Sequence, residues 1–216
     1  HQALEDIALM RVLPRMVVLV PCDAIEAQKA TVAAAFNGSP TYIRFGREKS
    51  PVFTTNETPF EIGKATVLRG PELVEGLQNG GPSDSSGRLS YDCTIIGCGM
   101  LLYNALVAAE ELSKEEGIEI MVLNSHTVKP IDQEAIIDAA KRTRAIVTVE
   151  EHQINGGLGS AVAEVLAKNY PVPQEFVGVQ DRFGESGEPD ELIEAFGLGV
   201  NSIKEAVKRA ISRKNK

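Results

Sequence analysis

The chain has no surplus of positive charge. It carries 22 Lys and Arg against 30 Asp and Glu, a formal net charge of −8. That balance excludes DNA or RNA as a partner, because a phosphate backbone needs a basic face. Small anionic ligands are not excluded, since a few local Arg or His residues can hold them inside an acidic protein. No run approaches the roughly 18 to 20 uninterrupted apolar residues of a membrane span, so no membrane partner is expected, and no signal peptide is visible. Cysteine is scarce and odd in number. Cys22, Cys93 and Cys98 fit no common zinc or redox spacing. Cys93 and Cys98 lie in an apolar run, so buried free thiols in a reducing cytoplasm are expected. There is no internal repeat, and low complexity is confined to one stretch.

What is present suffices for one large or two modest domains: 216 residues, 43% hydrophobic and 24% charged. Met16 to Val20 is a continuous apolar run, as in a strand covered on both faces. Asp23 with Glu26 forms a capping box that opens a helix, with Ile25, Val32 and Phe36 expected on its apolar side and Gly38 as its stop. Thr41 to Phe45 reads as a second strand, and Phe60 to Val67 as a third. Gly70 to Ser90 holds Gly-Gly-Pro-Ser-Asp-Ser-Ser-Gly without periodicity, the composition of a linker.

From Asp92 a regular alternation begins. Strands are expected at Cys93–Ile96, Ile118–Leu123, Ala145–Val149 and Phe176–Val179. Helices are expected at Met100–Leu112, from Pro130 onward, at Leu158–Ala167, at Pro189–Phe196 and at Ser202–Ile211, the last opened by a Ser202–Glu205 capping box. Such alternation predicts an α/β fold: a mostly parallel sheet covered by helices on both faces, preceded by a fragment of a second α/β domain. The expected organisation is a fragment over 1–55, a connecting segment and linker over 56–90, and a domain over 91–216.

Four clusters could carry chemistry. Gly97-Cys98-Gly99 follows a strand and opens a helix, but Leu102 stands where a dinucleotide fingerprint needs its third glycine. A tight turn is the simpler reading. Glu150-Glu151-His152, followed by Gly156, Gly157 and Gly159, ends a strand where α/β sites usually lie. Three adjacent side chains on a strand cannot all face one ion, so a packed turn or a subunit contact is expected. Asp181-Arg182-Phe183-Gly184 precedes a helix and suits capping or interface packing. Arg44 and Arg47 close a strand three positions apart. Bidentate phosphate binding and a plain surface ion pair both remain open for them.

Together these segments resemble one family. His1-Gln2, Glu5-Asp6 and Met10 to Pro14 resemble the pyrimidine-domain stretch of transketolases. Pro21-Cys22-Asp23 with Glu26, and Pro40 to Arg47, continue it, and Phe60 to Ala65 is similar to the joint into the last domain. Lys129 to Asp132, Val149 to Ser160 and Gly178 to Pro189 match the C-terminal domain. The Glu-Glu-His and Gly-Gly-Leu-Gly elements are shared with 1-deoxyxylulose-5-phosphate synthase and the β subunits of 2-oxoacid dehydrogenases. Phe183 to Gly187 is more like transketolase, especially the form split into two polypeptides.

The resemblance implies transfer of a two-carbon ketol unit from a ketose phosphate to an aldose phosphate, with thiamine diphosphate supplying the carbanion chemistry. It implies that His1 and Arg47 bind the substrate phosphate, with Arg44 a secondary candidate because not every member carries it. The cofactor and its Mg2+ would be bound mostly by residues outside this chain, and no catalytic residue lies within it. An upstream region and an N-terminal transketolase subunit are therefore expected as requirements for activity. For Glu150, Glu151, His152, Gly156, Gly157, Gly159, Asp181, Phe183 and Gly184 the resemblance implies a structural role or self-association through the C-terminal domain. The alternatives are a synthase or dehydrogenase β-subunit relative, or a non-catalytic interaction module.

Overall fold

The computed structural model describes residues 3–70 and 91–214. His1 and the expected linker, apart from Gly70, lie outside the described residues.

The first part runs α1 (Asp6–Val12), β1 (Val17–Leu19), α2 (Ala24–Phe36), β2 (Thr41–Ile43) and β3 (Thr66–Arg69). The second runs β4 (Cys93–Gly97), α3 (Leu102–Glu116), β5 (Ile120–Asn124), β6 (Thr127–Lys129), α4 (Gln133–Thr143), β7 (Ile146–Gln153), α5 (Leu158–Asn169), β8 (Gln174–Val179), α6 (Pro189–Ala195) and α7 (Val200–Lys214).

The two parts share their sheets. A five-stranded sheet has the order β3-β5-β4-β7-β8, in which β4, β5, β7 and β8 are parallel and β3 is an antiparallel edge. A three-stranded sheet has the order β2-β1-β6, so a strand from the second part completes the sheet of the first. Strands β4 and β5 are buried at every residue, which is why they read as continuous apolar runs and not as alternation.

Helices cover both faces. On one, Leu102, Ala105, Ala108, Ala109 and Leu112 of α3 meet Ile203, Ala206, Val207 and Ala210 of α7 over Ile95, Val122 and Val147. On the other, α4 and α5 pack Ile136, Leu158, Val162 and Val165 against Ile96, Leu123 and Ile146. That second cluster also contains Ile7, Val18 and Val20 from the first part. Each large aliphatic side chain fully removed from water contributes about 1.5–3 kcal/mol, so the two parts share a core and not merely a border.

Several sequence expectations are corrected. The α2 side holding Val32 and Phe36 faces outward, at 55% and 84% exposure. The helix instead buries Glu26 and Ala30, because Glu26 is drawn in by hydrogen bonds and a small side chain fits against β1. Asp23 caps α2 by accepting from Glu26 N, as expected, but the Glu26 carboxylate reaches back to Cys22 N, 2.8 Å away. The strand expected from Phe60 starts only at Thr66, where pairing with β5 becomes available. The strand expected to reach Phe45 stops at Ile43. Helix α7 begins at Val200, so Ser202 and Glu205 are interior and form no capping box. Strand β6 has no counterpart among the expected elements: it is short, and pairs with a segment distant in sequence. Among the described residues no helix is long and apolar enough to cross a membrane.

Candidate functional site

Strand β7 ends in four polar residues, and along it the side chains of Glu150, Glu151 and His152 alternate. Glu150 and His152 point inward, at 1% and 0% exposure, and Glu151 points the other way. Each has a separate task.

Glu150 caps α5. No side chain in its own N-cap residue does so. The Glu150 carboxylate accepts from Leu158 N at 2.7 Å and Gly159 N at 2.8 Å, taking two of the donors that a helix start leaves unpaired. Burial pushes its pKa up to about 7, against the pull of those two N–H groups. His152 caps α1 in the same manner. Glu5, the N-cap residue, makes no side-chain bond to the helix start, and Ala8 N donates to His152 Nε2 at 3.3 Å. The ring's other nitrogen, Nδ1, lies 2.7 Å from Gln153 O. Those partners place the proton on Nδ1, and burial lowers the imidazole's pKa, keeping it neutral.

Glu151 pairs with Arg44. The Arg44 guanidinium is only 13% exposed and sits 3.2 Å from Glu151 and 3.1 Å from Asp6. Its remaining nitrogen donates to Ala3 O at 3.3 Å. Burial works against the charge, but Glu151 and Asp6 outweigh it and raise the pKa. Tyr42 donates to Asp6 at 2.6 Å. Burial first, then this bond, pushes its phenol up to about 12. Arg44 is thus enclosed in an internal ion-pair network.

Arg47 is placed differently. It is 78% exposed, with Glu48 at 3.9 Å. Between the two arginines, Gly46 lies against the β4–α3 turn, where a β-carbon would fall 3.1 Å from Met100 Sδ. The strand has already ended at Ile43, so pleat alternation does not decide where Arg44 and Arg47 point. His1 lies outside the described residues, so its distance from Arg47 is not part of this geometry.

The glycines of the β7–α5 turn mark close approaches. A β-carbon on Gly156, whose φ is +81°, would fall 2.7 Å from Ala8 Cβ. One on Gly159 would fall 2.6 Å from Phe176 Cδ1. Arg11 spans the same seam, donating to Gly156 O at 2.9 Å and pairing with Glu164 at 2.6 Å. Gly97 and Gly99 form a tight βα turn, and Gly99 N donates to Val20 O at 3.0 Å. The loop before α6 lies at the surface: Phe183 is 95% exposed and Gly184 sits beside Leu4. Asp181 is exposed at φ +48°, and Arg182 lies 4.3 Å from the Phe196 ring centroid and pairs with Glu185.

Comparison with known proteins gives this geometry a lineage. More than half of the chain, residues 87–203, matches the family model described as transketolase, C-terminal domain, and residues 1–52 match transketolase, pyrimidine binding domain. The chain belongs to the transketolase family. It is 40% identical over 215 residues to the 6-deoxy-6-sulfo-D-fructose transketolase subunit SqwH of Clostridium sp. (strain MSTE9), covering 100% of this chain and 61% of that one. It is 36% identical over 204 residues to an apulose-4-phosphate transketolase subunit of Phocaeicola vulgatus, covering 94% and 59%. A solved split-gene transketolase, an inactive β4 tetramer, superposes with a TM-score of 0.87 at 42% identity, covering 99% of this chain and 64% of that one. The chain thus spans about three fifths of these split-type relatives.

Transketolases use thiamine diphosphate with a divalent metal. Among the described residues no three His, Cys, Asp or Glu side chains are placed to hold a metal ion. The two buried carboxylates with raised pKa are already engaged, Glu150 by α5 and Glu26 by Cys22 N and Asn124 Nδ2.

Sequence reasoning misses three participants. Asp6 enters it only as a motif residue. The signal is Tyr42 and Arg44, two positions apart and so on one face of a strand, which invites a shared acidic partner. Asn124 donates to Glu26 at 2.7 Å, and His126 is buried with its Nδ1 3.0 Å from Thr127 Oγ1. Their signal is a polar Asn-Ser-His-Thr run directly after an apolar strand.

Proposed function

We propose that this chain is the C-terminal part of a split-type transketolase. In the assembled enzyme it would help move a two-carbon ketol unit from a ketose phosphate to an aldose phosphate. Thiamine diphosphate with Mg2+ supplies the carbanion chemistry when bound, mostly by polypeptide other than the described residues. The work of this chain is to bind and orient the sugar phosphate, and to hold the C-terminal domain against the pyrimidine-binding segment. The partner is an N-terminal transketolase subunit, with self-association through the C-terminal domain.

The observation that carries this reading is the contrast between the two arginines of one motif. Arg44 is enclosed by Asp6 and Glu151, whereas Arg47 presents its fork at the surface. A planar, permanently charged fork suits the terminal phosphate of a sugar. Binding there orients the reacting carbons at the far end of the substrate. His1, at the matching family position, would supply a second contact. The relatives whose names specify a sulfonated and a phosphorylated sugar support an anionic tail as the common element.

The test is reconstitution of the complete protein with its N-terminal partner, thiamine diphosphate and Mg2+. Supplied with xylulose 5-phosphate and ribose 5-phosphate, the mixture should yield a seven-carbon ketose phosphate and a three-carbon aldose phosphate. Inert mixtures, or consumption of pyruvate instead, would overturn the reading.

A further inference from the structure

We infer that Arg44 and Glu151 are positioning residues for the phosphate-binding arm that carries Arg47, an inference resting on the functional reading above. Arg47 has no buried support of its own, being 78% exposed. The arm must therefore be held upstream. Arg44, three residues earlier, is the last residue tied to the β2–β1 sheet, through Arg44 N donating to Leu19 O at 2.9 Å. Beyond it the chain leaves the sheet.

The guanidinium of Arg44 then fastens three separate segments. Its Nε faces both oxygens of Asp6, at 3.3 and 3.1 Å, which anchors the start of α1. One terminal nitrogen meets Ala3 O at 3.3 Å, two residues from His1 in sequence. The other meets Glu151 at 3.2 Å, at the end of β7 in the C-terminal domain. A second brace follows at once: Gly46 is pressed against Met100, with no room for a larger residue unless the thioether moves. Lysine in place of Arg44 keeps the charge but cannot make this three-way fork, because the guanidinium's donors have fixed directions.

The geometry gives the C-terminal domain a part in substrate recognition. Glu151 meets Arg44 and not Arg47, yet it sets where Arg44 sits, and hence where the arm begins. Displacing such an arm by an ångström weakens a charge-assisted contact without deleting it. The cost falls on substrates that carry a phosphate.

The experiment uses the assembled holoenzyme carrying Glu151→Gln or Arg44→Lys, each checked by thermal melting. Two substrate pairs are compared: xylulose 5-phosphate with ribose 5-phosphate, and the phosphate-free pair hydroxypyruvate with glycolaldehyde. Glu151→Gln should raise KM for the phosphorylated pair about tenfold while kcat/KM for the phosphate-free pair stays within about twofold. Arg44→Lys should move the same way and further. Calorimetric affinity for ribose 5-phosphate should fall in parallel, a readout independent of turnover. Equal losses with both pairs, or unchanged KM and affinity, overturn the positioning role. Wild-type enzyme that binds ribose 5-phosphate but transfers nothing sinks the transketolase reading alone. Wild-type enzyme that fails even to bind it sinks the positioning role as well.

Discussion

Gly157 lies directly over the carboxylate of Glu150: a β-carbon at Gly157 would overlap that carboxylate and fall 2.7 Å from His152 Nδ1. Both neighbours are buried and committed, Glu150 to the start of α5 and His152 to the start of α1. Neither can swing aside without orphaning a helix N–H. Gly157→Ala should therefore destabilise the protein by about 2–4 kcal/mol, an overpacking cost joined to loss of a cap. Chemical denaturation should show this as a lower midpoint at unchanged slope. A loss below about 0.5 kcal/mol would mean that the turn relaxes freely.

His152→Phe keeps a planar aromatic ring but removes the acceptor for Ala8 N. The first turn of α1 then has an unpaired donor, worth on the order of 1–2 kcal/mol. Hydrogen exchange should show the effect locally, with amides of residues 7–10 exchanging about tenfold faster while those of α3 are unchanged. Uniform acceleration across the chain would point to general destabilisation instead.

His126 predicts a pH dependence. It is fully buried, stacked on Phe60 with ring centroids 4.2 Å apart, and burial lowers its pKa to about 4. In the unfolded chain the group titrates near its ordinary value, about 6.5. Above that pH both states are neutral and the stability is complete. As pH falls from about 6.5 towards 4 the unfolded chain binds a proton that the folded chain refuses, and on the order of 3 kcal/mol is lost. Glu150 acts oppositely between its ordinary value and about 7, but it is present in every comparison. The difference in unfolding free energy between wild type and His126→Gln should therefore shrink steadily from pH 7 to pH 4. A constant difference would refute buried, neutral His126.

Arg47→Ala should leave folding intact, since the side chain is exposed and its ion pair is with Glu48 at the surface. In the reconstituted enzyme it should raise KM for phosphorylated sugars by about 10- to 150-fold, the range for deleting a charge-assisted contact. Steady-state kinetics with phosphorylated and phosphate-free donors would separate this from a general loss of activity.

The strand–helix order of the second part is legible because its apolar runs are long and its helical stripes regular. Leu101, Ala105, Ala108, Ala109 and Leu112 stand out by spacing, and all are buried. Local rules fail where a partner distant in sequence decides the outcome. Val32 and Phe36 follow a helical stripe yet face outward, because Glu26 is held inward by Asn124. Ser202 and Glu205 spell a capping box inside a helix that has already begun. Strand β6 exists because β1 is beside it.

The order of residues by itself determined the α/β class, the capping of α2 by Asp23, and the family likeness. These depend on periodicity and on contacts a few residues long. Only the tertiary structure decided that Glu150, Glu151 and His152 serve three different partners, and that Arg44 is enclosed while Arg47 faces outward. The reason is physical: a charged side chain is worth little until its surroundings are desolvated and its partner is fixed. For Arg44, Glu151 and His152 the partner lies far along the chain: 107 positions separate Arg44 from Glu151 and 144 separate His152 from Ala8.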